Sequence, residues 1–271
     1  MHQALSPTPA RDTRAGTVTT TDLWKLAGLV FVLVDHGGLY FDPDQDWWRV
    51  LGRLAAPIFF FFIGFAPNRA VPWTWVVFGL ILTATETWTS DEGLGRINLN
   101  ILINFAYIRL LLPEVERRIM PHPARVALLA AAIVLLIRPV QPVLEYGAEG
   151  WLWALLGLAH RRALEGDGAL QRNLLAALAA SVYVIKEVLD YEFELPHALV
   201  LAVLVAALTF LATRFRRTTL PWQPPSALAA ALQIAGRRSL EIYAISLFAM
   251  MVIAYAWDTD AGDTEDDDEA A

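Results

Sequence analysis

Along this chain, long apolar runs are separated by short polar intervals. Nine such runs stand out, at residues 23–41, 50–66, 71–89, 97–112, 124–138, 147–160, 174–190, 197–213 and 239–257. Within them apolar residues do not alternate with polar ones at every second position, so a transmembrane β-barrel is excluded. Continuous runs of this kind form helices, and a hydrocarbon core of about 30 Å needs roughly 20 such residues, within a range of about 17–25. Several runs are shorter. The run 147–160 is interrupted near its start by Glu149 and Gly150 and reads as a half-helix or a re-entrant segment. The pattern predicts an all-α, polytopic transmembrane helix bundle of about nine spans.

Composition sharpens this picture. The chain is 56% hydrophobic and only 18% charged, with a mean hydropathy of +0.44. Ordinary soluble domains are about 45–50% apolar and about 25% charged. The excess excludes a soluble enzyme, a disordered chain and a nucleic-acid-binding module. The chain has no cysteine, which rules out disulfides, thiolate metal sites and a cysteine acyl-enzyme.

The distribution of charge gives an orientation. Arg11, Arg14, Arg69, Arg117, Arg118, Arg125, Arg161, Arg162, Arg172, Arg214, Arg216, Arg217, Arg237 and Arg238 fall in the N-terminal segment and in every second loop, on one side of the nine spans. Only Arg49, Arg96 and the boundary residue Arg138 fall on the other. Cytoplasmic loops carry such an excess of positive charge, so the N-terminus is expected inside. Tryptophans support the same boundaries: Trp24, Trp73, Trp75 and Trp222 at the inner one, and Trp47, Trp48, Trp88, Trp151, Trp153 and Trp257 at the outer. Three parts are expected: a disordered cytoplasmic tail over 1–21, a membrane domain over 22–257, and an acidic outside tail over 258–271. The tail's eight acids turn a net charge of +1 into −7. The segment 227–235 reads as an interfacial helix.

Ionisable groups inside a span cost about 2.5–3.5 kcal/mol each on insertion scales and are functional candidates by default. Here they are Lys25, Asp35, Arg53, Glu86, Arg109, Lys186, Glu187 and Glu241, with His36 beside them. Depth sorts them into an outer polar cluster around His36 and an inner, mainly basic one. Several have plain structural readings. Lys25 anchors the inner boundary, Glu241 pairs with Arg237 or Arg238, and Lys186 with Glu187 forms a wet helix end. Asn100 and Asn104, one turn apart, are interhelical glue or the lining of a substrate cavity. Asp35 and His36 lie deeper and are followed by Gly37 and Gly38, which permit close helix approach. Adjacent helical residues diverge by about 100°, so the two do not form a local dyad. Arg53 lies at a similar depth to neutralise Asp35. No nucleotide-binding loop, zinc-protease motif or metal-ligand histidine spacing is present.

Residues 26–66 read LAGLVFVLVDHGGLYFDPDQDWWRVLGRLAAPIFFFFIGFA. The skeleton is D-H-x-G, a short loop, then R-x-x-G-R-x-A-x-P-I-F-x-F, carried by Asp35, His36, Gly38, Arg49, Gly52, Arg53, Ala55, Pro57, Ile58, Phe59 and Phe61. This resembles the TraX family of integral-membrane proteins, whose namesake acetylates the N-terminus of a conjugative pilin. That family in turn is similar to the wider superfamily of membrane acyltransferases. Where those relatives carry Tyr-x-x-His in the last span, this chain has Tyr243 and Ser246.

The resemblance implies acyl transfer from acetyl-CoA to an amine or hydroxyl of a pilin-type or other envelope protein, glycan or lipid. It places the chain in the bacterial cytoplasmic (inner) membrane. In that scheme His36 is the general base. Asp35 or Glu86 holds its ring, and Arg53 fixes the carboxylate or the developing oxyanion. Lys25 and Arg109 attract the phosphates of acetyl-CoA, while Asn100, Asn104, Lys186, Glu187 and Tyr243 line the substrate cavity. Two other classes are weighed against it. One is a proton-coupled transporter with Asp35, Glu86 and Glu187 as a relay. The other is a non-catalytic scaffold or accessory subunit that partners a larger membrane complex.

Overall fold

The computed structural model describes residues 17–89 and 97–269. Among them the chain forms eleven helices: α1 Thr20–Phe41, α2 Asp46–Gly52, α3 Ala55–Phe65, α4 Trp73–Thr89, α5 Ile101–Arg118, α6 Pro123–Val140, α7 Gly150–Leu164, α8 Ala169–Asp190, α9 Leu195–Arg214, α10 Ser226–Arg237 and α11 Ser239–Glu269. The fold is all-α, and every predicted apolar run becomes helical. Helices α2 and α3 are the two arms of one apolar stretch, Asp46–Phe65, broken at Arg53 and Leu54. By length and composition, five helical stretches are able to cross a membrane: α1, the α2–α3 pair, α6, α9 and Ser239–Trp257 of α11.

Local chemistry explains the boundaries. Thr19 and Asp22 form a reciprocal capping box that starts α1. Asn100 caps α5 by accepting from the Leu102 amide at 3.1 Å. Proline opens α6 and α9, where its missing N–H is no loss. The chain before α1 is tied down: the Leu220 amide donates to the Val18 carbonyl at 3.1 Å, and the Thr20 amide to the Thr218 carbonyl at 2.9 Å. The ordered core therefore begins before residue 22. The rest of the expected N-terminal tail, 1–16, lies outside the described residues, as does Arg96. Helix α11 runs on past the expected boundary at 257. The segment 227–235 is helical within α10, which packs on α1.

Helix α7 has 15 residues and is not among the five candidate spans, as its interrupted run implied, but its place in the bundle differs from expectation. The run 147–160 looked like the weakest span, yet every residue from Gly150 to His160 is buried, and α7 packs against both α3 and α8 at the centre of the bundle. Trp151 and Trp153, expected at the interface, lie inside; Trp153 is only 1% exposed. Trp75 is buried as well. Glycine lets α3 and α7 meet backbone to backbone. A Cβ on Gly64 would sit 1.8 Å from the Ala154 carbonyl oxygen, and one on Gly157 would sit 2.0 Å from that of Phe61.

The outer helices show the opposite dressing. Helix α6 turns Val126, Ala130, Ile133 and Ile137 inward and presents Leu128 and Leu135, 71% and 77% exposed, to the outside. A soluble surface rarely carries apolar area on this scale; a lipid-facing surface requires it.

Candidate functional site

The two ends of α1 each carry a cavity. At its C-terminal end, Asp35 is 3% exposed and lies against the turn between α2 and α3. Gly52 makes this approach possible, because a Cβ there would fall 2.2 Å from the Cβ of Asp35. Arg53 folds back onto Asp35 in a short ion pair, with its Nε 3.3 Å from Oδ1. Arg49, one turn earlier, lies 3.3 Å from Oδ2. The Tyr191 hydroxyl accepts from Arg49 at 3.0 Å and from Arg53 at 2.7 Å, while Tyr183 donates to the Arg53 carbonyl.

The network continues into α8 and α7. Arg53 lies 3.5 Å from Glu187, which is 0% exposed. Lys186 holds Glu187 at 3.0 Å, Glu149 at 3.1 Å and Asp190 at 3.1 Å. Asp190 also pairs with Arg138 and accepts from Gln141 at 2.8 Å. Each buried charge thus meets an opposite one, as a low-dielectric setting demands. Lys186 and Glu187 therefore do not form a wet helix end, but the centre of a buried network.

His36 faces a cavity of about 310 Å³ beside this network. Its Nδ1 is buried and has no hydrogen-bond partner. Its ring lies 6.4 Å from that of Tyr40 and 6.1 Å from that of Tyr243. Asp35 is engaged by the arginines, and Glu86 lies exposed on the lining of the same cavity, so no carboxylate orients the ring at Nδ1.

The loop after α6 folds back into this cavity. Leu99 and Leu144 form an isolated bridge. Asn104 donates to the carbonyls of Glu145 and Gly147 at 3.0 and 3.1 Å. The Glu145 carboxylate accepts from the Ile101 amide at 2.7 Å and from Asn100 at 3.1 Å. Partial burial pushes the Glu145 carboxyl up to about 7, and the nearby Glu86 charge adds to the shift. Tyr146 and Gly147 follow with φ of 62° and 51°. Since Asn100 Oδ1 is spent on the helix cap, its Nδ2 faces Tyr243 and donates to the phenol oxygen at 2.9 Å. Ser246 donates to the Tyr243 carbonyl at 2.9 Å.

At the N-terminal end of α1 lies a second cavity, of about 350 Å³, whose lining includes Lys25, Arg109, Arg217, Arg237 and Asp22. Arg109 donates to the Asn68 carbonyl at 2.6 Å and stacks over Trp75 at 5.0 Å. Among the described residues, none of these four bases has a carboxylate at ion-pair distance. Asp22 itself is turned to Thr19, and the expected Glu241 pair with Arg237 or Arg238 is not formed. A neighbouring cluster at this end is committed: Arg69 and Arg161 both pair with Glu116. Burial opposes the charge on Glu116, but the two arginines hold its carboxyl below the usual carboxylate range.

Between the two lies a neck of about 20 Å³. It shares Asp35, His36, Glu145 and Tyr146 with the upper cavity, and Phe59 and Leu240 with the lower one. The predicted groups thus divide as their depth implied. Asp35, His36, Arg53, Glu86, Asn100, Lys186 and Glu187 gather at one end with Tyr243, and Lys25 and Arg109 at the other. Asn104 stands behind, holding the loop. Sequence reasoning missed Glu145, Glu149, Arg49 and Tyr191.

Fold and site define a helical membrane protein with several candidate spans, built around a buried charge network and a histidine-lined passage. The chain belongs to the TraX family: that family, described as TraX protein, matches residues 20–217, well over half of the sequence. An uncharacterized protein of Rickettsia prowazekii (strain Madrid E) is 34% identical over 83 residues, which cover 31% of this chain and 32% of that protein. The chain thus matches about a third of the length of this curated relative. No solved structure matches it.

Proposed function

We propose that the chain is a membrane acyltransferase that moves an acetyl group from acetyl-CoA to an amine or hydroxyl acceptor of the bacterial envelope. The observation that carries this reading is the run of two cavities joined by a neck, with His36 lining both the neck and the upper cavity. Lys25, Arg109, Arg217 and Arg237 would hold the donor's phosphates: four bases line this cavity against the single carboxylate of Asp22. From Lys25 to His36 is about 11 residues of helix, roughly 16 Å, a distance that the donor's pantetheine arm bridges in large part. The arginine bias of the loops supports a cytoplasmic N-terminus, donor entry from that side and residence in the inner membrane.

The chemistry follows from the groups at the junction. The acceptor nitrogen or oxygen attacks the thioester carbonyl carbon while the His36 imidazole takes its proton. A neutral imidazole has a free ring nitrogen that can accept a proton in that step. The carbonyl electron pair moves onto oxygen, and the Tyr243 hydroxyl, from the lining of the neck, would stabilise that oxyanion. Collapse breaks the C–S bond, and the imidazolium returns the proton to the leaving thiolate. Asp35, Arg53, Lys186 and Glu187 act by positioning. Their network fixes the end of α1 that carries His36, and Asn100 and Asn104 fix the loop that forms the opposite wall.

The test uses the purified full-length protein with labelled acetyl-CoA and envelope extract. Transfer is expected, and His36→Ala should reduce it by about 10²-fold or more. Transfer unchanged by His36→Ala overturns the assignment of the base. Solute uptake into proteoliposomes without acetyl-CoA indicates a transporter instead. Stable co-purification with a larger complex, without acetyl-CoA binding, indicates a scaffold.

A further inference from the structure

We infer that the neck is an acyl-length gauge, with Phe59 as its limiting wall; this rests on the acyl-transfer reading. The neck holds about 20 Å³, little more than the roughly 10–15 Å³ that a single water needs. That is room for one small group. One side of it is apolar, with Val32 from α1, Ala55, Ala56 and Phe59 from α3, and Ile101 and Phe105 from α5; Asp35, His36, Glu145, Tyr146 and Tyr243 form the other. Phe59 and Leu240 line both the neck and the basic cavity, so they form the doorway through which a thioester arriving from the Lys25 side would pass.

Phe59 is the more rigid of the two. Its ring packs on the bare backbone of Gly28, where a Cβ would lie 3.1 Å from two ring carbons. On the other side it faces the Phe105 ring at a centroid distance of 6.3 Å. Pinned between α1 and α5, it cannot swing aside to admit a longer chain without moving a helix. Leu240 is only partly buried, at the start of α11.

During transfer the bond from the donor sulfur to the acyl carbon breaks, a bond from the acceptor to that carbon forms, and the proton ends on the thiol. The alkyl part of the acyl group must occupy the neck throughout. Each methylene that does not fit is worth about 10–200-fold in selectivity.

The experiment compares acetyl-, butyryl- and hexanoyl-CoA as donors for the wild-type protein, Phe59→Ala and Leu240→Ala, reading the ratios of kcat/KM. The wild type should prefer acetyl over butyryl by at least about 10-fold, and Phe59→Ala should bring that ratio close to one. Leu240→Ala, on the exposed side of the doorway, keeps the test open if Phe59→Ala fails to fold, and should shift the ratio in the same direction. Wild-type transfer that is blind to chain length overturns the inference and leaves the acyl-transfer reading standing. So does an acetyl preference unchanged in a folded variant. Absence of transfer from any of the three donors overturns the acyl-transfer reading itself.

Discussion

The two ends of α1 handle charge in opposite ways. At the Asp35 end, acids and bases are matched by their neighbours: Asp35 with Arg53 and Arg49, Glu187 and Glu149 with Lys186, Asp190 with Arg138. At the Lys25 end, four bases share a cavity with Asp22, and among the described residues none of the four has a carboxylate at ion-pair distance. A matched cluster in low dielectric holds a structure in one arrangement but has no net charge to offer a ligand. An unmatched basic cavity open to water adds little to stability and is built to meet an anion. The difference separates residues that hold the site from residues that would bind.

The comparison breaks most easily at Asp35. Asp35→Ala would strand Arg53 and Arg49 beside a void. Removing one partner of a buried pair costs about 3–5 kcal/mol. Thermal unfolding in detergent, followed by near-UV circular dichroism, should show that loss. A combined Asp35→Leu and Arg53→Met protein should recover much of it, since replacing the whole pair by apolar groups is nearly neutral. If the single change is silent, the Asp35 end is not the rigid one.

Glu145 tests the same end through pH. Its carboxyl is raised to about 7 from an ordinary 4.5, so the folded state holds a proton that the unfolded chain has released. Its stabilising contribution is complete below about 4.5 and is lost as pH rises through about 7. The loss is on the order of 2 kcal/mol, allowing for solvent screening at a half-buried side chain. Glu145→Gln should flatten the dependence of Tm on pH between about 5 and 8 and make the protein more stable at pH 8. A pH slope unchanged by the substitution would show that Glu145 does not titrate in that window.

Gly52→Ala is a smaller perturbation of the same contact. The new methyl would meet Asp35 Cβ at 2.2 Å and Oδ1 at 2.4 Å, so α2 must move off α1. Overpacking of this kind costs about 1–3 kcal/mol, and Arg53 should loosen from Asp35. The expected signature is a modest drop in Tm together with faster hydrogen exchange around Arg53. A Tm equal to that of the wild type would show that the helices have room to spare there.

How much of this the sequence disclosed depended on what each residue's neighbours in the chain looked like. Helices, and the sorting of span charges into two clusters, were legible because apolar periodicity and depth are local properties. The pairing of Arg53 with Asp35 was legible for the same reason, as both sit at one depth on consecutive runs. Glu145 and Glu149 were not legible, because a loop that re-enters the bundle has the composition of a connector. The pairing of Leu144 with Leu99, 45 residues away, the hold of Asn104 on the Glu145 and Gly147 carbonyls and a tyrosine held at φ 62° turn it inward. The central place of α7 was hidden because a helix shielded on all sides needs neither span length nor an amphipathic face, so its 15 residues read as a weak span. Trp153 misled for a related reason: its preference for interfaces yields to burial beside Tyr183, 6.0 Å away.

The smallest effect on stability belongs to Lys25, where the comparison is sharpest. No ion pair among the described residues depends on its ammonium, so Lys25→Ala should change stability by no more than about 0.5 kcal/mol. If Lys25 meets donor phosphates, the same change should weaken coenzyme A binding by about 10-fold, near 1.4 kcal/mol, and reduce the salt dependence of that binding. Arg69 supplies the control from the same end of the molecule. It donates to the carbonyls of Ile63, Gly64 and Ala66 and pairs with Glu116, so Arg69→Ala should lower Tm and leave the salt dependence of coenzyme A binding in place. Two cations on one face, one spent on structure and one not, should separate along two measurements. If Lys25→Ala instead lowers Tm as Arg69→Ala does and leaves coenzyme A binding untouched, the basic cavity is a structural feature like the Asp35 network, and the contrast between the two ends of α1 dissolves.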